Sequence, residues 1–394
     1  MNLTKPELDM LVEKWDKKGF KISEISDPGR ARNTALLLEN EARYITEAGS
    51  TLTTDIADFK KIVMPLTRRI FPNLIANDLV SVQPMTGPVG LAYALRYRYK
   101  TTAGSVTAED EIGYNTVAQE YSGDSSASPT SGAGGVSTSA GEYMSSVDPT
   151  ATGTIKEAGL SIETATVTAK TRKLKSRWSL EAAQDLQNMH GVDIESEIVS
   201  MLQYEIAAEI DREMINTMKA TCTVGNGNLS TYAVAGGDGQ WEVEKFRNLY
   251  TRIVKEANQI AVTSRRGPGN FIVASSNVVT ALDAIGNFLL SPTNSSPMEL
   301  APGIAKVGSI EGRFDVYRDT FASSDYALVG YKGPGASDAG IIFSPYVPIV
   351  ISKTMEQQSF YPVIGIMSRY ALTANLFGSQ NYYRQINVDF TGVF

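Results

Sequence analysis

The chain has 394 residues, 42% of them hydrophobic and 20% charged, with a net charge of −7 at neutral pH. That acidity removes the electrostatic basis for gripping a phosphate backbone, and one histidine (His190) with one cysteine (Cys222) excludes a disulfide framework or a Cys/His zinc site built within one chain. No apolar run approaches the roughly 20 residues that cross a bilayer, and the opening MNLTKPELDMLVEKWDKKGF has acids where a secretory signal has a basic flank, so a soluble protein assembled in a cytosol is expected.

Helical spacing in Leu8, Leu11, Val12 and Trp15, and again in Ala35, Leu36, Leu38 and Ala42, predicts two short helices separated by a turn at Asp27-Pro28-Gly29. Their apolar residues look too few for an independent core, so residues 1–47 read as a detachable leader, and 48–64 as an extended arm. The segment RRIFPNLIANDLVSVQPMTGPVG (68–90) is apolar yet broken by Pro72 and Pro84, and Leu79, Val80 and Val82 favour extended chain. From Leu91, LAYALRYRY alternates as a strand, with Arg96 and Arg98 opposing Tyr97 and Tyr99. Residues 101–155 hold no Lys or Arg, and 123–146 are nearly all small or polar, a composition that cannot bury enough surface to form a core. The chain returns through SIETATVTAKTRKLKSRW, whose alternation predicts a second, antiparallel strand. The result is a projecting hairpin with an acidic tip (Glu109, Asp110, Glu111, Glu120, Asp124) and a basic base (Lys170, Arg172, Lys173, Lys175, Arg177).

Ser179 is placed to cap a helix ending near His190-Gly191, and Asp193 to cap a second running to about Lys219. Ile194, Ile198, Leu202, Ile206, Ile210, Met214 and Met218 recur every fourth residue and lay an apolar stripe along that second helix, a structural spine. A third helix is predicted from Trp241 to about Val262, with Val243, Phe246, Tyr250, Ile253, Ala257 and Ile260 on one side. RRGPGN ends it; FIVAS reads as a buried strand, NVVTALDAI as a helix, and strands dominate from Gly308. Helices and strands without a steady βαβ rhythm predict an α+β fold.

The chemical candidates are weak. RRGPGN sits after a helix and before a strand, the reverse of a phosphate cradle, and Pro268 lacks an N–H. His190 falls where a helix ends, Cys222 reads as a buried inert thiol, and Asp211 and Glu205 as solvated charges. No catalytic, cofactor-binding or metal-ligating residue is assigned. A leader, an arm, a long hairpin and a spine helix describe a subunit whose protrusions are stable when neighbours cover them.

With RRIFPNLIANDLVSVQPMTGPVG, TRKLKSRWSLEAAQDLQNMHG, EIDREMIN, RRGPGNFIVASSNVV and YKGPGASDAGIIFSPYVP in this order, the sequence resembles the major capsid proteins of T4-like tailed bacteriophages, over about residues 65–370. The resemblance implies an HK97-type fold: leader 1–47, N-terminal arm 48–85, extended loop 86–175, a peripheral domain of 176–235 and 346–394 holding the spine, and an axial domain of 236–345. It implies a structural protein, not an enzyme, that needs no cofactor. Copies would assemble into hexamers, with or without pentamers, in an icosahedral or prolate virion shell that encloses double-stranded DNA without sequence-specific binding. Vertex, portal, scaffold, protease and decoration proteins of the phage would be its partners. A nanocompartment shell of encapsulin type and an α+β hydrolase stand as alternatives. The resemblance further implies removal of the leader by a prohead protease; Ile45-Thr46-Glu47 before Ala48 fits the cleavage pattern. No lysine between 101 and 155 is available for loop crosslinking, so a noncovalent shell is expected. Glu109, Asp110 and Glu111 are expected to lie over Lys170, Arg172, Lys173 and Lys175 of a neighbouring copy.

Overall fold

The structure, a computed structural model, describes residues 5–25, 27–48, 74–102, 106–112, 121, 156–224, 229–234, 241–285, 288–290, 305–335, 338–356, 361–376 and 378–390. The expected arm beyond Ala48, residues 49–64, and most of the loop tip lie outside the described residues.

Helices α1 (Lys5–Lys17) and α2 (Pro28–Ala48) close on each other through Trp15, Ile22, Ala31, Ala35 and Leu38. The expectation that this segment lacks a core of its own is therefore corrected. Trp15, buried and edge-on to Phe20 at 5.5 Å, fills more volume than the small number of apolar residues suggests. The segment is also docked, because Leu37, on another side of α2, enters the main core of the body.

Leu74, Leu79 and Val80 pin the next stretch to that same core, through one helical turn, α3 (Ala76–Leu79), and strand β1 (Ser81–Val82). Leu79 thus closes a helical turn rather than an extended run. Strands β2 (Val89–Tyr99) and β3 (Ala158–Thr168) then form the expected antiparallel hairpin as a two-stranded sheet, with a single bridge from Arg98 to Glu111 beyond it among the described residues. After Ala169 the chain enters β4 (Lys170–Arg177), which joins a different sheet.

Ser179 caps α4 (Leu180–His190), its Oγ accepting from Ala182 N at 3.2 Å, and Gly191 ends the helix at φ 66°. Asp193 Oδ1 accepts from Glu195 N at 3.1 Å and opens α5 (Ile194–Val224). Its 31 residues span about 46 Å, five residues beyond the expected end at Lys219. Leu202, Ile206, Ile210, Met214, Met218 and Cys222 are all buried in the main core.

Two sheets share that core. One has the order β1-β11-β12-β4, with β11 (Ile341–Met355) and β12 (Pro362–Ala374) at its centre. The other has the order β5-β13-β10-β6-β9-β8-β7, built from β5 (Leu229–Ala233), β6 (Phe271–Ser275), β7 (Phe288–Leu290), β8 (Ala305–Ile310), β9 (Phe314–Asp319), β10 (Tyr326–Gly330) and β13 (Tyr383–Asp389). Alternate residues of β6 and β10 divide between its faces: Phe271, Val273, Tyr326 and Leu328 meet the spine-side core, whereas Ile272, Ala274, Ala327 and Val329 meet α6 (Glu242–Ser264) and α7 (Ser276–Asp283). Burial on both faces explains the unbroken apolar run FIVAS. The α+β expectation holds.

β5 and β13 pair parallel to each other within the seven-stranded sheet, and Ile386 and Val388 of β13 join the core beneath α6. On α6 itself the buried side is Phe246, Leu249, Ile253, Ala257 and Ile260; Val243, expected inside, is exposed one turn too early in the helix. Leu249→Ala should therefore cost about 2–5 kcal/mol and Val243→Ala no more than about 0.5 kcal/mol, compared by denaturant unfolding.

Candidate functional site

The residues with chemical potential are placed structurally. His190 is the last residue of α4. Cys222 lies wholly buried in the spine-side core, where burial pushes its thiol up to about 12 against the weaker pull of Arg384. Arg265 takes the left-handed conformation (φ 54°) that ends α6, and the amides of Gly269 and Asn270 donate to Ala257 O and Gly330 O, so RRGPGN is a helix stop joined to a strand. Among the described residues no cluster of three or more His, Cys, Asp and Glu could hold a metal.

The unusual surface is the hairpin. In an antiparallel pair, directly opposed residues point to the same face, and the register sets Tyr97 opposite Leu160, Tyr93 opposite Thr164, Leu91 opposite Thr166 and Val89 opposite Thr168. This face is apolar and open: Tyr97 is 64% exposed and Ile162 66%, with Val89, Leu91, Tyr93 and Leu160 exposed beside them. The other face is charged and more covered. There Glu163 meets Arg98 and, at 3.3 Å, Arg96. The hairpin is thus amphipathic with its oily side toward solvent. At its root Met85, Val167 and Ala371 form a small cluster; at its far end Tyr99 packs against Tyr121 with the rings tilted and 4.3 Å between centroids. Other exposed apolar residues are Met189 and Val192, where α4 turns into α5, and Met201 and Tyr204 further along α5. Sequence reasoning singled out charges and missed these apolar surfaces, although the two-residue period of LAYALRYRY and GLSIETATVT carries the first.

The charged residues expected to meet a neighbour have partners closer to hand. Glu109 accepts from Lys100 at 2.8 Å and Arg98 at 3.3 Å, and the Lys100 hydrogen bond leads in holding its carboxyl below the usual range. Asp110 accepts from Thr107 N and Oγ1 at 2.9 and 2.6 Å, which lowers its pKa. Partial burial raises the pKa of Glu111 against the opposing pull of Arg96, Arg266 and Arg98. Arg172 turns inward from β4 to Glu209 at 2.9 Å, Glu213 at 2.7 Å and the Tyr370 hydroxyl. Partial burial disfavours its charge, but the hydrogen bonds to Glu213 and Tyr370 outweigh that and hold its pKa above the ordinary value. Lys170, Lys173 and Lys175 are exposed. The structure thus brings Glu109 and Arg172 to partners within the chain and leaves the three lysines facing outward. Glu47 and Ala48 fall in the last turn of α2; their side chains lie outside the described residues.

A family model described as major capsid protein Gp23 matches residues 56–389. The chain belongs to this family. It is similar to the major capsid protein of Salmonella phage ViI, 32% identical over 386 residues, covering 91% of this chain and 88% of that protein. It is similar also to the major capsid protein of Enterobacteria phage T4, 29% identical over 390 residues, covering 80% of this chain and 75% of that one. Among solved structures it is similar to the capsid of Myoviridae phage XM1, with a TM-score of 0.44 and 11% identity over 80% of this chain and 92% of that chain. This major capsid protein forms the head shell of a T4-like phage, and membership in a structural capsid family displaces the nanocompartment and hydrolase readings. No helix of the described residues is long and apolar enough to cross a membrane.

Because the Cys222 thiol is held up near 12, it should resist thiol reagents in the folded chain at pH 8 and react once the chain is unfolded in denaturant. Rapid native labelling, followed by mass spectrometry, would contradict its placement in the core.

Proposed function

We propose that the open face of the hairpin is the contact through which one copy of this capsid protein holds the next. The observation that carries this reading is the inversion of the ribbon: Val89, Leu91, Tyr93, Tyr97, Leu160 and Ile162 face outward while Arg96, Arg98 and Glu163 pair on the other side. An exposed apolar strip on an edge-bearing, two-stranded ribbon invites aggregation unless another surface covers it. The exposed Met189, Val192, Met201 and Tyr204 are the proposed receiver on the neighbour. Two different surfaces on one chain make a head-to-tail contact, which closes into rings when the rotation allows, and hexamers and pentamers are such rings. Apolar burial at roughly 25 cal/mol per Å² would supply most of the energy, with Lys170, Lys173 and Lys175 available at the rim for acids of an adjoining copy.

In this reading the hairpin is the extended loop, the four-stranded sheet with the spine is the peripheral unit and the seven-stranded sheet the axial unit of an HK97-type subunit. The net charge of −7 suits a wall that encloses DNA without binding its sequence. Vertex, portal, scaffold, protease and decoration proteins are the proposed partners, and hexamer contacts are proposed to be noncovalent. Cleavage after Glu47 is proposed as well; since a protease needs extended substrate, the last turn of α2 would have to unwind first.

Tyr97→Asp combined with Ile162→Asp should abolish shells seen by electron microscopy while leaving the circular dichroism melt of the unassembled chain within a few degrees of the parent. Shells at parental yield would sink the reading. For processing, the shell protein of mature particles should weigh less than the full chain by the mass of residues 1–47; an intact full-length mass rejects it.

A further inference from the structure

Polar contacts tie the leader to the chain on the way to the hairpin. The Asn40 side chain, 5% exposed, donates from one Nδ2 to Met85 O at 2.7 Å and to Tyr346 O at 3.3 Å. Both carbonyls lie where regular pairing fails. β1 has ended at Val82, and the register between β11 and β12 shifts between Pro345 and Val347. A buried carbonyl without a partner is costly, so Asn40 stabilises the place where the departing chain crosses β11. Met85 is also the hairpin's foot: its amide donates to Pro345 O at 2.9 Å, and its side chain packs with Val167 of β3. Beyond this contact the leader and the root stand apart. An open groove of about 690 Å³ separates Leu8, Asn33 and Leu36 from Gly87, Val89 and Leu91.

The second tie is ionic. Arg30 of α2 pairs with Asp78 of α3. Next to it, the partly buried Lys332 donates to Asn77 O, one residue short of the same carboxylate. Burial lowers the pKa of Lys332, Asp78 pulls it back up, and Arg30 pushes it down again. Two cations therefore face two carboxylates: Arg30 contacts both Asp78 and, at 3.5 Å, Asp27 of its own segment, while Lys332 stands beside Asp78 on the body's side.

We propose that residues 5–48 act as a releasable clamp on the hairpin root, with Asn40 as its pin and Lys332 as the cation that takes over Asp78 when Arg30 leaves. The groove gives the root room to turn once the pin is drawn, and the Lys332 handover keeps the body's charge balanced without the leader. The clamp sets the angle at which the hairpin's apolar face is offered, whichever surface that face meets.

Hydrogen exchange on the unassembled full-length chain tests this, and because no shell is needed, its outcome is separate from that of the assembly reading. Asn40→Ala should speed exchange about tenfold in peptides covering 83–93 and 165–170, while β6 and β10 exchange as in the parent. Asn40→Leu keeps the volume but drops the donors, and it must act in the same direction; parental exchange at the root in both variants overturns the clamp. For the handover, Lys332→Met should lower the urea midpoint further in the Arg30→Gln background than in the parent. Equal shifts in the two backgrounds overturn it.

Discussion

A two-stranded ribbon has no second layer. The larger sheets of this protein bury apolar residues against helices or another sheet, whereas among the described residues β2 and β3 form a sheet of two strands whose apolar side is exposed at Tyr93 and Tyr97. The side with the charged residues is where Arg96, Arg98 and Glu163 satisfy one another, so Tyr93, Tyr97, Leu160 and Ile162 are left to water. For an isolated chain this is an unfavourable arrangement. In the contact proposed above, it is a supply of surface whose burial is deferred until a neighbour arrives.

The rest of the fold anchors that ribbon at its root. One residue, Ala169, separates the hairpin strand β3 from β4, which is paired into the four-stranded sheet, so the limb is tethered to the sheet there while the contacts at Met85 hold its other strand. That sheet is held in turn by Arg172, which reaches from β4 to Glu209 and Glu213 on the spine helix. The spine's own stripe, from Leu202 to Cys222, fuses this sheet to one face of the seven-stranded sheet, while α6 and α7 close the other. A load on the hairpin is therefore carried into a continuous core.

Much of this was legible in the residue order because it depends on local periods. The caps at Ser179 and Asp193, the four-residue stripe of the spine and the unbroken apolar strand FIVAS are nearest-neighbour signals, and they appear where the pattern places them. What failed to show was long-range or a matter of phase. Nothing in 229–233 announces parallel pairing with 383–389. Val243 fits the helical spacing of α6 yet lies a turn before the helix meets its sheet. Arg172 was grouped with Lys173 and Lys175 as a basic base, although the two-residue period sets it on the side of Leu174, toward the spine. The proposed assembly surface was missed for a related reason. Charges attract attention in a sequence, whereas an exposed Tyr97 or Ile162 becomes informative only when the sheet around it is known to lack a cover.

The dependence of the hairpin on a neighbour is tested most directly by hydroxyl-radical footprinting of Tyr93 and Tyr97, read by mass spectrometry on unassembled chains and on purified shells under the same dose. Strong labelling of both tyrosines in the free chain and severalfold protection in the shell is the expected result. Equal labelling in the two states would show the face still open to water after assembly, and would contradict the central claim.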